Sequence, residues 1–168
     1  MVGLMLGPGM RFSEGISLLR SPLPSYAMVV QNPNILHDIR LAPGSMTIKN
    51  NKARQVFIPG RLYMQIYEQA MNCSNEPSHR LLFVSPKKSP WHASTIQKDF
   101  RQASAKANLR HVITPHILRH VFATRTLENW KESGFTSEMA CLIWLQKQLG
   151  HSHVSTTANT YINMSSEL

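Results

Sequence analysis

The chain has 168 residues, 42% of them hydrophobic, with an ordinary share of Gly and Pro, which is enough for one domain with a real core and too apolar for disorder. Lys and Arg outnumber Asp and Glu by 18 to 9, giving a net charge of +9, so the field points to a polyanionic partner, nucleic acid ahead of membrane, unless the charge serves solubility alone. Cys73 and Cys141 are too few and too far apart for a disulfide framework or a zinc motif, and the apolar run at residues 1–10 lacks a basic start and is broken by Gly7-Pro8-Gly9, which excludes a signal peptide and a membrane span and leaves the reduced cytoplasm, beside the nucleoid, as the expected setting.

Residues 11–19 read as a short helix with Ser13 and Glu14 near its start, stopped by the cluster at 21–25. Residues 35–41, 46–49 and 55–58 read as three short strands of a meander, with Asn50-Asn51 as the turn between the last two. Residues 61–71 form an amphipathic helix with Leu62, Ile66 and Ala70 at helical spacing. A brief strand at 81–84 precedes a basic helix at 94–108, with Ser94 at its N-cap. Thr114 caps and Pro115 opens a helix reaching about residue 130. Ser137 caps another that ends near Leu149 with Gly150 as its stop, and a last short helix holds Tyr161. The fold class is therefore mostly α with a small antiparallel β-sheet (α+β).

Charge is segregated along this series. Arg80, Lys87, Lys88, Lys98, Arg101, Lys106, Arg110, Arg119 and Arg125 are opposed between residues 80 and 125 by Asp99 alone. Arg40, Lys49, Lys52, Arg54 and Arg61 lie between Asp38 and Glu68 with no acid among them. One face meeting phosphates accounts for this pattern.

Thr114-Pro115-His116-Ile117-Leu118-Arg119-His120, then Leu149-Gly150-His151 and Tyr161, with Arg11 far upstream, bring two arginines, several histidines and a tyrosine into one list without a hydrolase's paired carboxylates. Arginine gives a planar, bidentate grip on phosphate oxygens, and a tyrosine hydroxyl attacks phosphorus once its proton is drawn off and the developing charge is held. His116, Arg119 and His120 sit at i, i+3 and i+4, with neighbouring Cβ atoms about 5–6 Å apart on one helix face. On spacing alone the histidines also fit an ordinary polar face, or zinc with His151 and His153 as further ligands. Against zinc, no Glu follows the first His as in a zinc-protease helix, and nearby arginines repel a cation.

Read together, residues 9–14, 48–54 and 116–120, and residues 149–157 leading to Tyr161, resemble the catalytic domain of tyrosine recombinases, the phage-integrase and Xer-type family. The resemblance implies that residues 1–168 are that catalytic domain, without the family's N-terminal core-binding domain. It implies that Arg11 and Arg119 clamp the scissile phosphate, that Tyr161 is the nucleophile of a 3′-phosphotyrosyl intermediate, and that Lys49 protonates the leaving 5′-oxygen, with Lys52 as its rival. His116 would act as acid/base and phosphate ligand, His151 as a further donor, and Glu14 and His120 as supporting groups. Lys52, Arg54, Lys87, Lys88, Lys98 and Arg101 are the expected DNA contacts. No metal and no cofactor is implied. The partners implied are double-stranded DNA and other recombinase protomers, with no membrane. The alternative is a catalytically inactive DNA-binding remnant or regulator with the same fold.

Overall fold

A computed structural model of the chain describes residues 1–20, 23–41, 53–73, 80–85, 87, 89–153 and 155. In chain order these form helices α1 (Val2–Leu6), α2 (Phe12–Ile16) and α3 (Tyr26–Gln31), strands β1 (Leu36–Leu41) and β2 (Arg54–Pro59), and helices α4 (Gly60–Cys73), α5 (Ala93–Lys106), α6 (Pro115–Glu128) and α7 (Glu138–Leu149). The α+β class expected from the sequence is the one observed.

β1 and β2 pair antiparallel, with Leu36 opposite Pro59 and Leu41 opposite Arg54. Their alternation turns Ile39, Leu41, Val56 and Ile58 inward, as the period of two requires. The strand expected at 46–49 lies outside the described residues. Leu4, Met10, Leu18, Val29, Tyr63, Ile66, Ala70 and Leu82 complete this first core. In α4 the buried stripe is Tyr63, Ile66 and Ala70, with Leu62 at its margin. A second core lies between α6 and α7, where Phe122, Ala123 and Leu127 meet Cys141, Leu145 and Leu149. Burying each of the larger side chains contributes roughly 1.5–3 kcal/mol. This fixes the angle between the two helices that carry the conspicuous residues.

Three sequence readings change. The helix after Arg11 stops at Ile16, and Leu19 instead bridges Leu81, which is the whole of the strand expected at 81–84. The 21–25 cluster does more than stop a helix, because the Ser25 hydroxyl accepts from Met28 N–H and starts α3. On α5 the N-cap is His92 rather than Ser94, and its side chain makes no cap bond. Thr114 and Ser137 cap α6 and α7 as expected, each accepting from the backbone N–H three residues on. Among the described residues no helix is long and apolar enough to cross a membrane.

Candidate active site

The site is organised around the C-terminus of α7. A helix leaves its last four carbonyls without partners inside the helix, and their dipoles sum to a partial negative charge there. Gly150 adopts φ +65°, a left-handed stop. It lets His151 N–H donate to the Gln146 carbonyl at 3.0 Å and Gly150 N–H donate to that of Lys147 at 3.1 Å, the Schellman pattern. The next three carbonyls each accept from an arginine. Arg54 Nη1 donates to Gln148, Arg119 Nη2 to Leu149 at 2.5 Å, and Arg11 Nη2 to Gly150 at 2.7 Å. Three guanidiniums from distant parts of the chain thus converge on one helix end.

Each is fixed a second time. Arg119, 7% exposed, also donates through Nη1 to the Gly9 carbonyl at 2.7 Å. Gly9 has φ +64°, and a Cβ there would come within 2.3 Å of the Phe122 ring, so only glycine brings that carbonyl to the arginine. Arg11 is the N-cap of α2, and its backbone N–H donates to Glu14 Oε2 at 2.7 Å while Nη1 donates to Oε1 at 3.1 Å. Arg54 Nε donates to Glu14 Oε1 at 2.9 Å, and its Nη2 to Oε2. Glu14 is 2% exposed. Burial pushes its carboxyl upward, but the hydrogen bonds and charges of Arg54 and Arg11 outweigh this and hold it below the usual value. Glu14 thus holds both the backbone and the side chain of Arg11. Arg54 is placed differently from its expected role on DNA, with its side chain 10% exposed and its guanidinium turned onto Glu14 and α7.

A cleft of about 490 Å³ opens over this frame, lined by Arg11, Arg119, His116, His151, Thr114 and Gln97, among others. His151 Nε2 lies 3.3 Å from Arg119 Nη2. Burial and the charges of Arg119 and Arg11, followed by those of His120 and Arg54, push its pKa down to about 4, so near neutral pH the ring is uncharged and can take Arg119's N–H on Nε2. Arg119 is itself lowered to about 9 by burial and by Arg11 and Arg54, and stays a cation. His116 and His120 meet edge to face at 4.1 Å between ring centres. Burial, then His116 and Arg119, lower the pKa of His120. Among the described residues no three His, Cys, Asp or Glu side chains form a metal-holding group.

The structure therefore brings Arg11, Arg119, His116 and His151 to one cleft, with Glu14 and His120 behind them. Lys98 and Arg101 are exposed on α5, whose Gln97 forms part of the cleft wall, and Lys87 is exposed as well. Lys49, Lys52, Lys88 and Tyr161 lie outside the described residues. Arrangements of fixed guanidiniums with imidazole N–H groups bind the oxygens of a phosphate and hold charge as it develops there.

Residues 1–167 match the phage integrase family along nearly the whole chain. The chain belongs to that family. The chain is 29% identical to tyrosine recombinase XerC of Nitrobacter winogradskyi over 99% of its own length and 45% of that protein's. It is 30% identical to tyrosine recombinase XerD of Staphylococcus saprophyticus over 94% and 47%. The XerA recombinase crystal structure superposes with a TM-score of 0.68 at 25% identity, covering 95% of this chain and 50% of that one. XerH recombinase bound to its difH substrate shares the fold, with a TM-score of 0.68 at 24% identity over 96% and 41%. The chain spans a little under half the length of the curated relatives it matches, and its fold is that of a tyrosine recombinase catalytic domain.

Proposed function

We propose that this chain is the strand-cleaving unit of a site-specific DNA recombinase working through a 3′-phosphotyrosyl intermediate. The observation that carries this reading is the convergence of Arg11 and Arg119, each fixed on a helix-end carbonyl, with His116 and His151 in one cleft. In this scheme Tyr161 Oη attacks the scissile phosphorus and the bond to the 5′-oxygen breaks. His116 moves the tyrosine's proton, Lys49 protonates the leaving oxygen, and Arg11, Arg119 and His151 hold the non-bridging oxygens. The 5′-hydroxyl then attacks the phosphotyrosine and reseals the strand, so the ester conserves the bond. Duplex DNA would run over the exposed basic side of α5, and exchange between two duplexes engages further protomers at the nucleoid.

The direct test is a nicked duplex that loses its 5′-hydroxyl fragment after cleavage. A protein–DNA adduct that survives denaturation is expected, and it is expected to form in excess EDTA, because the arginines supply the positive charge that a metal would otherwise bring. Binding without any adduct would favour the inactive DNA-binding alternative. A strict need for added divalent ion at the cleavage step would overturn the arginine assignment.

Lys49 is tested through its proton. Lys49→Ala is expected to slow cleavage of normal DNA, and a substrate with sulfur at the 5′-bridging position to recover much of the rate, because a thiolate leaves without general-acid help. Lys52→Ala is the comparison. Sulfur rescue of that variant instead would transfer the role to Lys52.

A further inference from the structure

Gln148 presents a question that packing alone does not answer. It sits in the last turn of α7 between buried Leu145 and Leu149 and is 1% exposed. An apolar side chain would fill such a place without the cost of about 1–3 kcal/mol that an unsatisfied buried polar group carries. Its carboxamide is satisfied in a particular way. Oε1 accepts from Phe57 N–H at 2.9 Å, and Nε2 donates to the carbonyls of Phe57 and Pro8, both at 2.8 Å. The exchange with Phe57 reproduces the two-way pairing of facing residues in an antiparallel ladder, so the side chain acts as a one-residue strand against β2. The Phe57 N–H also fixes which amide atom is the oxygen.

The three segments so joined are those that hold the arginines. Pro8 precedes Gly9, whose carbonyl holds Arg119. β2 begins with Arg54, which holds Glu14 and through it Arg11. The backbone of residues 148–150 offers the carbonyls on which all three guanidiniums rest. We propose that Gln148 is a positioning residue, its carboxamide locking the end of α7 to β2 and to the Pro8–Gly9 turn and thereby setting the spacing of Arg11 and Arg119 across the cleft. The proposal rests on the recombinase reading for its catalytic consequence, but not for its geometric one.

Gln148→Met keeps the volume and removes the three bonds. At a temperature well below its melting point, single-turnover cleavage of the nicked substrate is expected to fall about tenfold to hundredfold, with duplex Kd unchanged within about twofold. Gln148→Asn keeps a carboxamide on a shorter arm. It is expected to fall between the Met variant and the unsubstituted chain, and it carries the test if the Met variant does not fold. A lowered Tm with an unchanged cleavage rate in the folded variant would make Gln148 a purely structural residue and overturn the proposal. A second readout needs no activity, namely hydrogen exchange at the Nη–H groups of Arg119, followed by low-temperature NMR with labelled arginine and assigned by Arg119→Lys. Faster exchange in the folded variant is expected, and an unchanged rate would overturn the proposal. If the unsubstituted chain forms no adduct, the recombinase reading fails by itself, and arginine exchange still decides the role of Gln148.

Discussion

Tyr161→Phe is expected to abolish the denaturation-resistant adduct and leave duplex affinity within about twofold of the unsubstituted chain. The substitution removes one oxygen, the atom that forms the bond to phosphorus, and no charge that contributes to holding DNA phosphates. Arg119→Ala gives the contrasting case. Losing one preorganised donor to the transition state costs about 2.7–4 kcal/mol, or 10²–10³ in rate, so a slow adduct should remain detectable after long incubation. Loss of the nucleophile admits no such residue of activity. Both variants are measured with the same labelled nicked duplex on a denaturing gel, with affinity from a parallel titration. An adduct formed by the Phe variant would show that another side chain attacks, and would remove Tyr161 from the mechanism.

The elements that were legible in the sequence are those specified by local chemistry. Thr114 with Pro115, and Ser137 with Gly150, bind or shape their own neighbouring backbone, so their effect is readable without the rest of the fold. α1 and α3, at five and six residues, carry too short a pattern to stand out, and isolated helices of that length are not stable without tertiary packing. Arg11, Arg119, His116 and His151 were legible as a set because their spacing resembles a family. The fate of Arg54 was not. A run of basic residues does not reveal which guanidinium turns inward, and only the burial of Glu14 beneath Arg11 creates the need for a second cation. Gln148 was silent for a similar reason, since its partners are backbone groups of Phe57 and Pro8 that no residue pattern announces.

Arg54→Ala is expected to destabilise the fold by about 3–5 kcal/mol, the cost of removing one partner from a buried ion pair and leaving the other charge uncompensated. With a urea dependence of about 1–3 kcal/mol per M, the midpoint should fall by roughly 1–5 M at pH 7.5. The pH dependence separates this cause from simple loss of packing. In the unsubstituted chain Glu14 is held below its usual value of 4.5, so its contribution is fully present above pH 4.5 and is lost as pH falls through the lowered value. Without Arg54, burial becomes the larger influence and the carboxyl is expected to rise above 4.5, so the variant is penalised for ionising Glu14 and recovers as pH falls. The difference between the two chains should therefore shrink between pH 7.5 and pH 4. A gap that is constant across that range would mean that Arg54 contributes only its packing. Adding Glu14→Gln to Arg54→Ala should restore part of the lost stability at pH 7.5, because no buried carboxylate then remains without its cation. Its cleavage should be low, since replacing Glu14 removes the carboxylate that fixes the Arg11 guanidinium beside Gly150.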